Sequence, residues 1–123
     1  MRLVLQVTKA LADRQRVRAL MALRGHELCL CQLSELLRLA PSTMSRHMSA
    51  LRQAGLVQAR KQGRWQYFRL SLLDEAPVAA AQALQWLAHS LAEDQECAKD
   101  QVTLASVLAE DPEELCRRQC QRC

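Results

Sequence analysis

The chain has 123 residues, half of them hydrophobic and about a quarter charged, the composition of one small folded domain with extensions or of a subunit built to dimerise. Its 17 Lys and Arg against 13 Asp and Glu give a formal net charge of +4, which suits a nucleic-acid partner without establishing one. No stretch reaches the roughly 18 consecutive apolar residues of a membrane helix, so a membrane-spanning helix is excluded.

The apolar start of the chain is broken by Thr8, Lys9 and Asp13 and lacks a small-residue cleavage site. It predicts no signal peptide and a cytoplasmic protein whose thiols stay reduced. Leu3, Val4, Val7, Ala10 and Leu11 recur at helical spacing and predict a helix over 3–12. Asp13 is placed to cap a second helix that ends before Gly25, with Val17, Leu20, Met21 and Leu23 inward and Arg14, Arg16, Arg18 and Arg24 outward. In the segment that follows, Leu28, Leu30 and Leu33 cannot share one strand face. The pattern therefore changes within it, from a short extended lead-in near 26–29 to a helix of about two turns over 30–38. Pro41 starts a helix that runs to Gly55, a natural residue just past a helix end. Met44, Met48 and Leu51 form its inner face, and Ser42, Ser45, Arg46, Ser49 and Arg52 its outer one. Two helices joined by a brief Leu-Ala-Pro turn make a helix-turn-helix, and the outer face of the second is what a major-groove recognition helix needs.

Alternating residues on either side of Gln62-Gly63-Arg64 predict a β-hairpin, with Arg60, Lys61 and Arg64 crowding its tip, where they can meet a phosphate backbone. Trp65, Tyr67 and Phe68 are expected to anchor the hairpin to the helices. From Pro77 the pattern returns to helix, and Val78, Ala81, Leu84, Leu87, Ala88 and Leu91 mark an apolar stripe. With no Gly or second Pro to stop it, the helix is expected to run about 20 residues. A stripe of that length on so small a chain calls for a partner surface, hence a dimer. Asp111-Pro112-Glu113-Glu114 is a good helix start, and the end of the chain is expected to be mobile.

Six cysteines are many for a chain of this size: Cys29, Cys31, Cys97, Cys116, Cys120 and Cys123. In a reducing compartment their clustering points to metal, metalloid or redox chemistry over structural disulfides.

The motifs ELCLCQL, STMSRHMSALRQAGLV and RKQGRWQYFRL, in that order and spacing and preceded by ALADRQRVRAL, closely resemble the arsenic-responsive repressors of the ArsR family. The resemblance covers about residues 7–95. It implies a mainly α winged helix-turn-helix with a small β-hairpin wing, dimerising through its N-terminal and long C-terminal helices. On that basis residues 1–95 form the DNA-binding and dimerisation domain, and residues 96–123 a cysteine-containing extension. It implies a homodimer that binds double-stranded operator DNA without a cofactor and without a membrane. The candidate DNA-binding residues are Ser42, Thr43, Ser45, Arg46, His47 and Arg52 on the helix, and Arg60, Lys61 and Arg64 on the wing. It implies release from the operator of an arsenic-resistance operon when trivalent arsenic or antimony binds Cys29 and Cys31. Many such repressors carry a third cysteine three residues after the second, where this chain has Ser34.

Soft thiolates select soft centres, and the family's trivalent arsenic forms pyramidal complexes with up to three sulfurs. Residues two apart point to nearly opposite sides of a helix but to the same side of an extended segment. Two-thiol chelation by Cys29 and Cys31 thus conflicts with unbroken helix there, so ligand binding is expected to favour a distorted helix start and shift the helix at 41–54. The plainer alternative makes both cysteines small core hydrophobes. For the remaining coordination, a small-molecule thiol or hydroxide and a tail cysteine both stay open. Cys116, Cys120 and Cys123 can share one helix face as a second soft-metal site, or belong to an unstructured thiol-rich end.

His89 lacks the Asp-x-His acid that zinc-binding relatives use, because Leu87 stands there. His26 reads as solvated, and His47 either contacts phosphate or packs beneath its helix. Competing readings are a thiol redox sensor or another soft-metal sensor of the same fold, and a soft-metal storage protein, which leaves residues 41–64 unexplained. No nucleophile–base pair, phosphate loop or catalytic metal triad suggests an enzyme.

Overall fold

The computed structural model describes residues 1–122, with side chains described for residues 1–119. In chain order the elements are α1 (Arg2–Leu11), α2 (Arg14–Ala22), β1 (Leu28–Cys29), α3 (Leu30–Leu37), α4 (Pro41–Gln53), β2 (Val57–Gln62), β3 (Trp65–Leu70), α5 (Val78–Ser90), α6 (Gln95–Leu108) and α7 (Pro112–Arg122). Among the described residues no helix is long and apolar enough to cross a membrane.

Local chemistry sets most boundaries. The Asp13 side chain accepts from the backbone N–H groups of Gln15 and Arg16, closing the open start of α2. The strand-to-helix change falls between Cys29 and Leu30, inside the thiol motif. Cys29 is the extended residue before α3, and its N–H donates to the Gln32 side-chain oxygen at 2.9 Å. Arg38 ends α3 in the left-handed region, at φ 56°. Pro41 then opens α4 with no N–H to leave unpaired. In the two-residue turn between β2 and β3, Gly63 holds φ 63°, a conformation that glycine reaches without penalty.

The three strands form one antiparallel sheet in the order β1-β3-β2. Leu28 pairs with Phe68 and Cys29 with Tyr67, so the short lead-in to the helix-turn-helix is stitched to the root of the wing. Beneath the sheet and helices lies one core built from Leu20, Leu23, Leu28, Leu33, Met44, Met48, Leu51 and Leu56, all at most 1% exposed. Of the wing aromatics only Phe68 is buried; Trp65 and Tyr67 stay partly exposed and tilt against each other, so the anchoring expected of all three falls to one.

The C-terminal third departs from expectation. The long helix from Pro77 stops at Ser90 and a new one starts at Gln95. Asp94 makes the break, because its carboxylate accepts from the Cys97 N–H at 3.0 Å and caps α6. The cysteine-containing extension beyond residue 95 packs against the rest of the chain. Leu104 of α6 is 1% exposed within the core, and Asp100 of α6 receives a two-pronged contact from Arg18 of α2 at 2.8 and 2.9 Å. Leu115 of α7 is fully buried, and α7 packs on α3.

Candidate nucleic-acid interface and thiol cluster

α4 divides cleanly by burial. Met44, Met48 and Leu51 are fully buried, while Ser42, Ser45, Arg46, Ser49 and Arg52 lie exposed on the opposite side. Their i, i+3, i+4, i+7 spacing makes a continuous polar, basic stripe along the helix. Thr43 and His47 flank that stripe half-buried. His47 Nδ1 accepts from Arg16 Nε of α2 at 3.1 Å, so its imidazole is tethered beneath the helix instead of standing out from it.

The wing residues fall into different surroundings. Lys61 and Arg64 are exposed at the tip. Arg60 is engaged within the protein: its guanidinium donates to both carboxylate oxygens of Glu27, at 2.6 and 2.9 Å, and lies 4.6 Å from the centre of the Tyr67 ring. Hydrogen bonding from Arg60 holds the Glu27 carboxyl below the usual carboxylate range, and the same bond raises the guanidinium of Arg60. Arg60 therefore braces the wing against the loop before β1. Arg64 carries a looser partner, the Glu113 carboxylate of α7 at 3.6 Å.

The thiols depart most from the expected pattern. Cys29 is a free thiol, 2% exposed, whereas Cys31 is joined to Cys116 of α7 in a disulfide with a Cα–Cα separation of 5.6 Å. The expected pair of free thiols at 29 and 31 is thus one free thiol and one half of a bond closed over 85 residues of sequence. The cause is the packing of α7 along one face of α3. Gln119 Nε2 donates to the Cys31 carbonyl oxygen at 2.7 Å, and Arg118 reaches Glu35 at 3.0 Å. Cys116 is held in the same register, opposite Cys31. Ser34, one turn beyond Cys31, is buried, and its hydroxyl has no hydrogen-bond partner among the described residues. Cys120 and Cys123, the other tail candidates, have side chains outside the described ones.

A cleft of about 610 Å³ joins the two halves of the site. Cys29, Cys31 and Cys116 line it, together with Pro41 at the start of α4 and Lys61 and Arg64 of the wing tip. Among the described residues no three His, Cys, Asp or Glu side chains stand gathered to hold a metal ion. Cys97 lies elsewhere, in the first turn of α6, where it lines a different cleft with Met21 of α2. Burial, reinforced by a hydrogen bond to Asp94, pushes its thiol up to about 11, so it is protonated at neutral pH. Glu27, Arg16 and the whole α7 contact were not legible from local patterns, since each involves residues far apart in sequence.

Known proteins similar to this chain share its family and its fold. The profile of the family described as bacterial regulatory protein, arsR family, matches residues 13–59. The arsenical resistance operon repressor of Escherichia coli K12 is 34% identical over 114 residues, which span 85% of this chain and 97% of that one. The arsenic resistance transcriptional regulator ArsR1 of Pseudomonas putida KT2440 is 45% identical over 65 residues, 52% of this chain and about half (51%) of that relative. Among solved structures, the homodimeric winged helix-turn-helix DNA-binding domain of a possible ArsR-family regulator from Mycobacterium bovis superposes with a TM-score of 0.62. It is 28% identical and covers 76% of this chain and 82% of that one. HlyU from Vibrio cholerae superposes equally well, with a TM-score of 0.62 and 27% identity over 74% of this chain and 94% of that one.

Proposed function

The chain belongs to the ArsR family of bacterial regulatory proteins, and from that premise we propose that it is a cytoplasmic repressor of an arsenic-resistance operon, released from its operator when trivalent arsenic or antimony binds thiols at Cys29 and Cys31. The observation that carries this reading is the shared cleft: the thiol motif, the first residue of α4 and the wing-tip cations line one cavity. A ligand that reshapes Cys29 and Cys31 therefore acts directly on both DNA-facing elements.

In this reading α4 enters the major groove through Ser42, Ser45, Arg46 and Arg52, with Thr43 at the edge of the contact. Lys61 and Arg64 meet the phosphate backbone, while Arg60 and His47 position the wing and helix from within. DNA binding needs no cofactor. Two copies pair through α1 and α5, which pack together and leave Leu3, Val4 and Trp86 about half exposed or more; that the similar domain from M. bovis is homodimeric supports a dimer.

Release follows from where Cys29 and Cys31 sit. Cys29 is the last extended residue and Cys31 lies in the first turn of α3, so the chain direction changes between them. Drawing both sulfurs onto one centre alters that junction, and α3 transmits the change to α4, on which it packs. Such coupling operates through the difference in ligand affinity between the two states of the dimer.

A second reading, a thiol redox sensor, is favoured by the Cys31–Cys116 bond. One experiment separates them: binding of the reduced chain to DNA upstream of its own gene, followed by fluorescence anisotropy during titration with arsenite, antimonite, cadmium, zinc or peroxide. Release by arsenite and antimonite, abolished in Cys29→Ser and Cys31→Ser, is the expected result. Release by peroxide alone replaces the metalloid reading with the redox one, and absence of DNA binding by the reduced chain removes both.

A further inference from the structure

We propose that Cys116 of α7 is a ligand of the metalloid together with Cys31 and Cys29, so that the inducer staples the C-terminal helix across α3. The proposal rests on the thiol-sensing reading above and adds to it the residue that completes the ligand set.

Three observations carry it. The Cys31 and Cys116 sulfurs meet, on backbones 5.6 Å apart, so after reduction two thiols face each other where a single thiophilic atom can join them. The placement does not depend on the disulfide alone. Leu115 is fully buried, Gln119 donates to the Cys31 carbonyl oxygen, and Arg118 pairs with Glu35 and Glu110. These contacts fix the register of α7 on α3 on both sides of Cys116. The third observation is that Cys29 lines the same cleft as the other two. Cys97, by contrast, lines a different cleft and carries a thiol that resists ionisation.

The chemistry balances without any change in the oxidation state of arsenic. Two equivalents of a small monothiol reduce the Cys31–Cys116 bond, releasing two protein thiols and one small-molecule disulfide. Arsenous acid then exchanges its three hydroxyls for three thiolates. Each As–S bond forms as an As–O bond breaks, and each thiol proton leaves on the departing oxygen as water. The three sulfurs line one cleft but are not gathered in the disulfide-linked state, so closing the set requires movement of Cys29 relative to the other two. That movement lies at the junction of β1 and α3. Glu113, one turn before Cys116 on α7, faces Arg64 of the wing.

The test uses the full chain, reduced and kept anaerobic, with one equivalent of arsenite. Arsenic X-ray absorption is expected to report three sulfur neighbours in the wild type and in Cys120→Ser/Cys123→Ser, but two sulfurs and one oxygen in Cys116→Ser. Half-release of operator DNA by Cys116→Ser is expected to need at least about tenfold more arsenite, since even supporting residues around a bound metal contribute that much. In the wild type, which requires no substitution to fold, arsenite is expected to protect Cys29, Cys31 and Cys116 from iodoacetamide. Three sulfurs and unchanged release in Cys116→Ser, or alkylation of Cys116 at the same rate with and without arsenite, overturns the proposal while leaving the thiol-sensing reading intact. Full arsenite response in both Cys29→Ser and Cys31→Ser overturns that reading and the proposal with it.

Discussion

Arg64 and Arg60 stand four residues apart on one hairpin, both arginines near its tip, yet their surroundings differ. The Arg64 side chain is 76% exposed, and its one ion-pair partner among the described residues, Glu113, is itself more than half exposed at 3.6 Å. A pair so open to solvent contributes between about 0 and 1 kcal/mol, so little holds Arg64 back from a phosphate. Arg60 is tied to Glu27 through two hydrogen bonds and stacked on Tyr67. Each phosphate contact on duplex DNA contributes about 0.9 to the slope of log affinity against log salt, and a dimer presents each wing twice. Arg64→Ala should therefore flatten that slope by about 1.8. Between about 50 and about 200 mM salt the wild type should lose roughly 12-fold more affinity than the variant, because fourfold more salt raised to the power 1.8 is about 12. Arg60→Ala should leave the slope nearly unchanged and lower thermal stability instead. Fluorescence anisotropy with labelled operator DNA at four or five salt concentrations measures both slopes. An unchanged slope in Arg64→Ala, or equal flattening by the two variants, refutes the assignment of phosphate contact to one arginine and bracing to the other.

Other consequences concern the scaffold. Leu104→Ala removes a side chain of α6 that is 1% exposed, and should cost about 2–5 kcal/mol in urea unfolding; an unchanged midpoint would show that α6 is not part of the core. Gly55 sits at φ 79°, and a Cβ there would stand 2.7 Å from Pro77 Cδ, so Gly55→Ala should destabilise by about 2 kcal/mol or more, measured in the same way. The Cys97 thiol is raised to about 11 by burial and then by Asp94, so the folded chain holds its proton more tightly than the unfolded one. Its contribution to stability is complete below the ordinary thiol pKa of about 9 and is lost as pH rises toward 11. Alkylation of Cys97 should accordingly lag behind that of a free thiol peptide at pH 8 and approach it only near pH 11; equal rates at pH 8 would contradict the protonated thiol.

Much of the architecture was legible because it is written in local chemistry. The Asp13 cap, the Pro41 start, the Met44-Met48-Leu51 spacing and the Gly63 turn each act within a few residues, and each produced the element expected of it. Even the awkward leucine spacing around Cys29 and Cys31 reported the change from strand to helix. The break after Ser90 contains neither Gly nor Pro. The signal was Asp94, a capping residue followed by the acidic Glu96 in the first turn of α6. The partners of the site were hidden for a different reason. Arg60 with Glu27, Arg18 with Asp100 and Cys31 with Cys116 meet across 33, 82 and 85 residues of sequence. No periodicity encodes such meetings, which depend on how the helices pack. Nor does any local pattern show that Leu115 and Gln119 of α7 are buried against the rest of the fold.

The central claim is that metalloid binding and operator binding oppose each other through one cleft. The most direct test is the dissociation constant of arsenite for the reduced chain, measured once free and once saturated with operator DNA under the same conditions. Coupling of the usual size, about 1–3 kcal/mol, predicts that arsenite binds the operator complex roughly 5- to 150-fold more weakly than the free protein. Equal affinity for the two forms would mean that the thiols and the DNA-binding surface are energetically independent, and would contradict the claim.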